Sequence, residues 1–182
     1  MGWFIAMTVL LFVLALIVSG HNEERAFEEL HQSYPEPTAT VTPLKVLVRY
    51  PVPLDDDMQR YVQQVCSDYQ VAPAIVFAMM AVESNFQSDA VGDGGNSIGI
   101  MQIYRSVHEQ RMERLGVVNL YDPKQNVRVG IDFMAELLNM GDGSYEWALS
   151  YYSGNGGSPC NYARTVMRMA ECFSEGVQIL VV

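Results

Sequence analysis

Positive charge is scarce in this sequence: 11 Lys and Arg stand against 21 Asp and Glu, for a net charge of −10. Without a basic excess there is nothing to neutralise a phosphate backbone, which excludes nucleic acid as a partner. An acidic surface suits a neutral sugar chain or a protein partner better, and it also serves simply to keep a domain soluble. Charged residues make up only 18% and hydrophobic residues 49%, which is too apolar for a disordered chain. Cysteine and histidine are equally sparse, three of each. Cys66, Cys160 and Cys172 show no C-x-x-C spacing and no histidine sits beside them, which argues against a zinc site. An odd count leaves at least one thiol unpaired within the chain. Cys160 and Cys172 flank an expected helix that would hold them roughly 18 Å apart. Two readings stay open: a bridge from Cys66 to one of them, or three buried apolar thiols. There is no internal repeat, and no run of alternating strands from Leu54 onward.

What the chain does have begins with a long apolar run. Residues 3–18 are apolar except for Thr8, and Ser19, Gly20 and the charged residues 21–25 follow. A signal-peptide core has about 7–15 apolar residues. A membrane-spanning helix needs about 20, with a lower limit near 17. The run lies between the two. Val18, Ser19 and Gly20 are small enough to resemble a cleavage site, but no Lys or Arg precedes the run to orient it. Residues 1–20 are read as an export signal or an uncleaved membrane anchor, which places the rest of the chain outside the cytoplasm. Residues 21–53 read as an extended linker, because Pro35, Pro37, Pro43, Pro51 and Pro53 block regular structure. Within it Val46, Val48 and Tyr50 alternate with Leu47 and Arg49, the pattern of a short strand or docked arm.

Residues 54–182 are expected to form one mainly α domain. Asp55 to Asp57 suit a helix N-terminus, and Met58, Tyr61, Val62, Val65 and Tyr69 follow at helical spacing. Pro73 opens a second helix, apolar nearly all round and therefore buried, reaching about Asn85. Residues 88–98 (SDAVGDGGNSI) read as a glycine-rich loop, and a helix is expected over about 104–115. Asp122-Pro123 caps and opens another, to about residue 140. Ser144 to Tyr152 reads as a short helix stopped by glycines, and Pro159 opens the last, to about Phe173. The apolar tail 177–182 is left open between strand and disorder.

One glutamate is out of place. Glu83 lies near the end of the most apolar helix, directly after Ile75-Val76-Phe77-Ala78-Met79-Met80-Ala81-Val82. Desolvation there raises a carboxyl pKa. A carboxylic acid that keeps its proton near neutral pH is what glycoside cleavage asks of its general acid, which contributes roughly 10²–10⁴ in rate. A solvent-facing glutamate is the plainer reading, although the negative end of a helix disfavours its charge.

The neighbouring residues favour the chemical reading. Glu83-Ser84-Asn85-Phe86 is followed by Gly99-Ile100-Met101-Gln102-Ile103, then by Leu120-Tyr121-Asp122-Pro123 with Asn126 and Gly130. Ala148 through Tyr152-Ser153-Gly154-Asn155-Gly156 and Tyr162-Ala163-Arg164-Thr165-Val166 come after these. In this order the segments resemble the SLT-type lytic transglycosylases of the lysozyme-like superfamily, across about residues 58–172. The resemblance implies a lysozyme-like helical domain that cuts the MurNAc–GlcNAc bond of peptidoglycan. It implies Glu83 as catalytic acid and then base, Ser84, Met101 and Gln102 in the sugar-binding cleft, and Tyr152 pointing back at the carboxylate to hold it. No cofactor is implied, since the chemistry is acid–base.

Two departures matter. Tyr152-Ser153 stands where the family has Tyr-Asn, although the continuation is similar to small transglycosylases of secretion and conjugation machines. The loop from Gly92 to Gln102 also resembles goose-type lysozymes, with Asp93 at the place of an aspartate that positions water. The second aspartate of those enzymes has no counterpart, because Tyr104 is near its place. Asp93 is therefore a candidate second carboxylate for an inverting hydrolase, against an ordinary turn role in Gly-Asp-Gly-Gly. A non-enzymatic alternative is an anchored wall-binding part of a secretion, conjugation or phage assembly.

Overall fold

A computed structural model describes residues 46–181. The expected signal or anchor and most of the expected linker lie outside the described residues. Among those described, no helix is long and apolar enough to cross a membrane.

Among the described residues six helices carry the domain. Helix α1 (Asp56–Tyr69) starts where the acidic triplet placed it: Asp55 Oδ1 accepts from the Met58 N–H at 2.7 Å, with Asp56 and Asp57 in the first turn. Helix α2 (Pro73–Ser84) has proline in its first turn, and every residue from Ala74 to Met80 is buried. It runs through the core against α1 and against α6 (Asn161–Glu175). Between them come α3 (Glu109–Leu115), α4 (Pro123–Met140) and α5 (Tyr145–Tyr152). Asp122 caps α4 by accepting from the Lys124 and Gln125 N–H groups, and Ser144 caps α5. The last helix begins after Pro159, with Cys160 as its cap.

The glycine-rich loop is more ordered than its composition suggests. Strands β2 (Val91–Gly92), β3 (Ser97–Ile98) and β4 (Ile103–Tyr104) form a small antiparallel sheet in sequential order. Strands of two residues are too short for alternation to register in sequence. The helix expected from 104 therefore starts later: residues 103–104 are strand, one 3₁₀ turn covers Arg105–Val107, and α3 follows.

The domain also begins earlier than the proline count indicated. Strand β1 (Val46–Arg49) pairs antiparallel with β5 (Gln178–Val181), with Val48 opposite Ile179, so the apolar tail is strand. Gln59, fully buried, fixes the segment after β1. Its Oε1 accepts from the Tyr50 N–H at 2.9 Å, and its Nε2 donates to the Tyr50 and Leu54 carbonyls. Gln63 Nε2 donates to the Val48 carbonyl at 2.8 Å. The Tyr50 ring packs on Phe77, with centroids 4.8 Å apart. Residues 46–53, assigned to the linker from sequence, are thus part of the folded domain. Two glutamines supply the backbone partners that Pro51 and Pro53 interrupt.

All three cysteines are free: Cys66 buried, Cys160 half-buried and Cys172 exposed. Neither expectation holds. Cys66 is buried on α1 and bridged to neither of the others, and Cys172 faces water rather than the core.

Candidate active site

An open cleft of about 630 Å³ runs between the small sheet, the segment before α3, the end of α5 and the start of α6. Glu83, Asp93, Gln102, Tyr152 and Tyr162 are among the residues that line it. Glu83 sits on the last turn of α2. Behind it Asn85 (φ 50°) and Phe86 (φ 64°) are successive left-handed residues that are not glycine. Such backbone costs energy and persists only where the surroundings impose it. Here the Asn85 and Phe86 N–H groups close on the Ala81 and Met80 carbonyls, ending the helix abruptly at the cleft.

The carboxyl is half-buried, and among the described residues a single side chain holds it: the Tyr162 hydroxyl donates to Glu83 Oε1 at 2.5 Å. Burial pushes the Glu83 pKa from 4.5 up to about 6; the Tyr162 bond pulls against burial, and the charge of Asp93 adds to it. Burial and then the Glu83 charge drive the Tyr162 phenol well above its ordinary range, so it stays a donor. Glu83 is thereby set to hold or release a proton near neutrality.

Tyr152, expected to hold Glu83, does something else. Its hydroxyl donates to the Met101 carbonyl at 2.9 Å, and its ring packs on Phe133. It lines the cleft but braces the loop. The hydroxyl on the carboxylate comes instead from Tyr162, in the first turn of α6. The sequence marked that position only as part of a matching segment, since nothing local distinguishes its hydroxyl from that of Tyr152.

Ser84 and Met101, expected in the cleft, lie behind it. Ser84 Oγ donates to the Ile100 carbonyl at 2.8 Å and to the Met80 carbonyl, tying the Gly-Ile-Met-Gln segment to the end of α2. Met101 is fully buried. A Cβ on Gly130 would come 2.5 Å from its sulfur, so α4 admits this side chain only because it carries glycine there. Asn126, fully buried, completes the clamp. Its Nδ2 donates to the Ile98 and Leu120 carbonyls at 2.7 and 2.9 Å, and its Oδ1 accepts from the Met101 N–H at 2.9 Å. The motif segments 83–84, 99–102, 126 and 130 are therefore one assembly that seats the loop beside Glu83.

Gln102 does line the cleft. Its Nε2 donates to the Gly99 and Ala90 carbonyls, and its Oε1 lies so close to Gly92 that a Cβ there would come within 2.4 Å. Asp93 is exposed on the same cleft, with Oδ2 accepting from Ser97 Oγ at 2.5 Å. Ser153, at the family's asparagine position, also lines it and donates to the Ser150 carbonyl.

His108 drew no expectation from the sequence, although its partner Arg111 stands three residues on. It is buried in the cleft wall with its ring edge on Phe133, 4.6 Å between centroids. Burial and the Arg111 cation push its pKa down to about 4, so the ring is neutral. Arg111 Nε donates to His108 Nδ1 at 3.3 Å, which places the ring proton on Nε2. Arg111 is fixed in turn by Asp132, which Arg114 also engages, and by Glu136 at 2.6 Å. Among the described residues no group of His, Cys, Asp and Glu is arranged to hold a metal ion.

A helical domain with one proton-holding carboxyl at the end of a buried helix, facing an open cleft beside a small sheet, is lysozyme-like in design. Residues 60–165 match the family described as the Transglycosylase SLT domain, and the chain belongs to that family. Its fold is similar to the X-ray structure of an inactive glutamate-to-glutamine mutant of Lytic Transglycosylase Slt from Pseudomonas aeruginosa. The TM-score is 0.58 and the identity 16%, covering 64% of this chain and 24% of that one. This chain thus spans about a quarter of that protein's length, and at this identity the likeness concerns the fold.

Proposed function

We propose that this domain is a peptidoglycan lytic transglycosylase that cleaves the MurNAc–GlcNAc bond with Glu83 as acid and then base. The observation that carries the reading is the Glu83 carboxyl, poised at a pKa of about 6 in an open cleft and oriented by Tyr162. Protonated Glu83 gives its proton to the glycosidic oxygen as the bond to MurNAc C1 breaks. The sugar's N-acetyl group stabilises the developing cation. Glu83, now a carboxylate, takes the proton of the MurNAc C6 hydroxyl as that oxygen bonds to C1. The products are a GlcNAc-side hydroxyl and a 1,6-anhydro-MurNAc end, with no water consumed. Gln102 shapes the cleft floor, Tyr152, Ser84 and Met101 seat the loop that carries Gln102, and His108 offers its Nε2–H to a substrate oxygen. Such a substrate places the domain outside the cytoplasm, tethered or released according to the fate of residues 3–18. A local opening of the wall, alone or for a larger secretion or conjugation machine, is the role this suits.

A hydrolytic reading has one observation in its favour: Asp93 shares the cleft and its charge acts on Glu83. An inverting enzyme places its second carboxylate about 6.5–9.5 Å from the first to activate water. The bond from Ser97 and the surrounding turn support the structural role for Asp93. Mass spectrometry of products from purified peptidoglycan separates the two. Anhydro ends, one water lighter and inert to borohydride, are expected. Reducing MurNAc ends would make the enzyme a lysozyme. Equal release by Glu83→Gln would mean that another group is the acid.

A further inference from the structure

The cleft carries an aromatic lip that the acid–base chemistry does not use. Tyr151, on the last turn of α5, lines the cleft yet is 40% exposed. Its neighbour Tyr152 turns inward to the Met101 carbonyl, so the two rings serve different sides of the helix. The Tyr151 ring stacks on Trp147, with centroids 5.2 Å apart and planes 29° from parallel. Trp147 is itself immobilised. A Cβ on Gly141 would come 2.5 Å from the indole, and one on Gly157 would come 2.2 Å from its nitrogen. Tyr151 is thus backed by the indole while part of its side chain stays open to solvent. On the strand side of the same cleft Tyr104 is 38% exposed. Leaving large apolar side chains in water is unfavourable unless something covers them. Among the described residues the lining supplies no Lys or Arg, and Glu83 and Asp93 are its acidic residues. The partner of this lip is therefore flat and neutral rather than anionic. A pyranose ring meets that description: its face of C–H bonds is apolar and weakly positive, suited to the negative face of an aromatic ring.

We propose that Tyr151, backed by Trp147 and accompanied by Tyr104, is a sugar-binding platform that holds a pyranose ring of the glycan strand. It governs affinity for the strand rather than the rate of bond cleavage. The proposal rests on the glycan-cleaving reading of the cleft. The test uses the full chain with Glu83→Gln, to leave ligand intact, and Trp3→Phe, so that Trp147 is the only tryptophan. Titration with a GlcNAc hexamer is expected to change Trp147 emission saturably. Adding Tyr151→Ala should weaken binding about tenfold, and Tyr151→Phe, which keeps the ring face, should leave it near the parent value. In the otherwise native chain acting on peptidoglycan, Tyr151→Ala should raise KM about tenfold with kcat held within about twofold. Parent-like binding by Tyr151→Ala, equal loss in Tyr151→Phe, or a fall in kcat at unchanged KM would overturn the platform. Cleavage of peptidoglycan by the otherwise native chain, with no hexamer binding by the parent, would overturn the platform and leave the cleavage reading standing. Absence of hexamer binding by the parent together with absence of cleavage by the otherwise native chain would remove both.

Discussion

Replacing Glu83 with glutamine should stabilise the fold, and only above a definite pH. The carboxyl has a pKa of about 6 in the folded protein against an ordinary 4.5, with burial as the principal cause. Raised in this direction, the group favours folding by proton binding below pH 4.5, and that contribution is lost as pH rises through about 6. Above pH 6 the folded protein carries a poorly solvated charge. A shift of this size corresponds to about 2 kcal/mol. Glutamine has nearly the same shape, can still accept from the Tyr162 hydroxyl, and carries no charge. Urea unfolding at pH 8 should therefore give Glu83→Gln an advantage of about 1–2 kcal/mol, while at pH 4, where the native glutamate is protonated, the two chains should agree. The same substitution should abolish cleavage, so stability and activity are expected to move in opposite directions. Equal stability at pH 8, or an equal gain at both pH values, would refute the account of Glu83 as a desolvated acid.

Tyr162→Phe removes the one hydrogen bond that lowers the Glu83 pKa. A bond to a charged group contributes about 1.5–3 kcal/mol, so the alkaline limb of kcat/KM, set by loss of the Glu83 proton, should move up by about one pH unit or more. A limb that stays in place would return the carboxylate-holding role to another residue. Asn126→Ala strands the Ile98 and Leu120 carbonyls and the Met101 N–H in a buried site. Urea midpoints should show a loss of about 3 kcal/mol, and a loss under about 1 kcal/mol would contradict the clamp. Alkylation followed by mass spectrometry should rank the thiols. Burial pushes Cys66 up to about 12. At Cys160 burial is outweighed by hydrogen bonds from Ser150, the Ala163 N–H, Ser153 and Asn155, which together bring it down to about 7. At pH 7.5 Cys160 should label ahead of Cys172, and Cys66 only after unfolding; a Cys66 that labels in the native protein would refute its place in the core.

Helix starts were legible because their signals act within a turn. Asp55, Asp122 and Ser144 accept from N–H groups two or three residues on, and Pro73 and Pro123 fill first turns that need no donor. The buried helix leading to Glu83 was legible for the same kind of reason, since an apolar run with no polar side leaves a terminal carboxylate conspicuous. The two-residue strands and the β1–β5 pairing were not, because their partners are supplied by distant chain. Gln59 and Gln63 look like surface residues in sequence, yet they hold β1 and the segment after it.

By itself, then, the sequence determined the helical class, most of the helix starts and the glutamate that ends the buried helix. The tertiary structure alone decided which tyrosine holds it. Tyr162 is 79 residues from Glu83, and the bond exists because α2 packs along α6. Packing likewise turned Ser84 and Met101 away from the cleft and brought His108 and Tyr151 into its lining. Caps and periodicity are written in neighbouring residues, whereas the side of a helix that meets a ligand is fixed only by what covers its other sides.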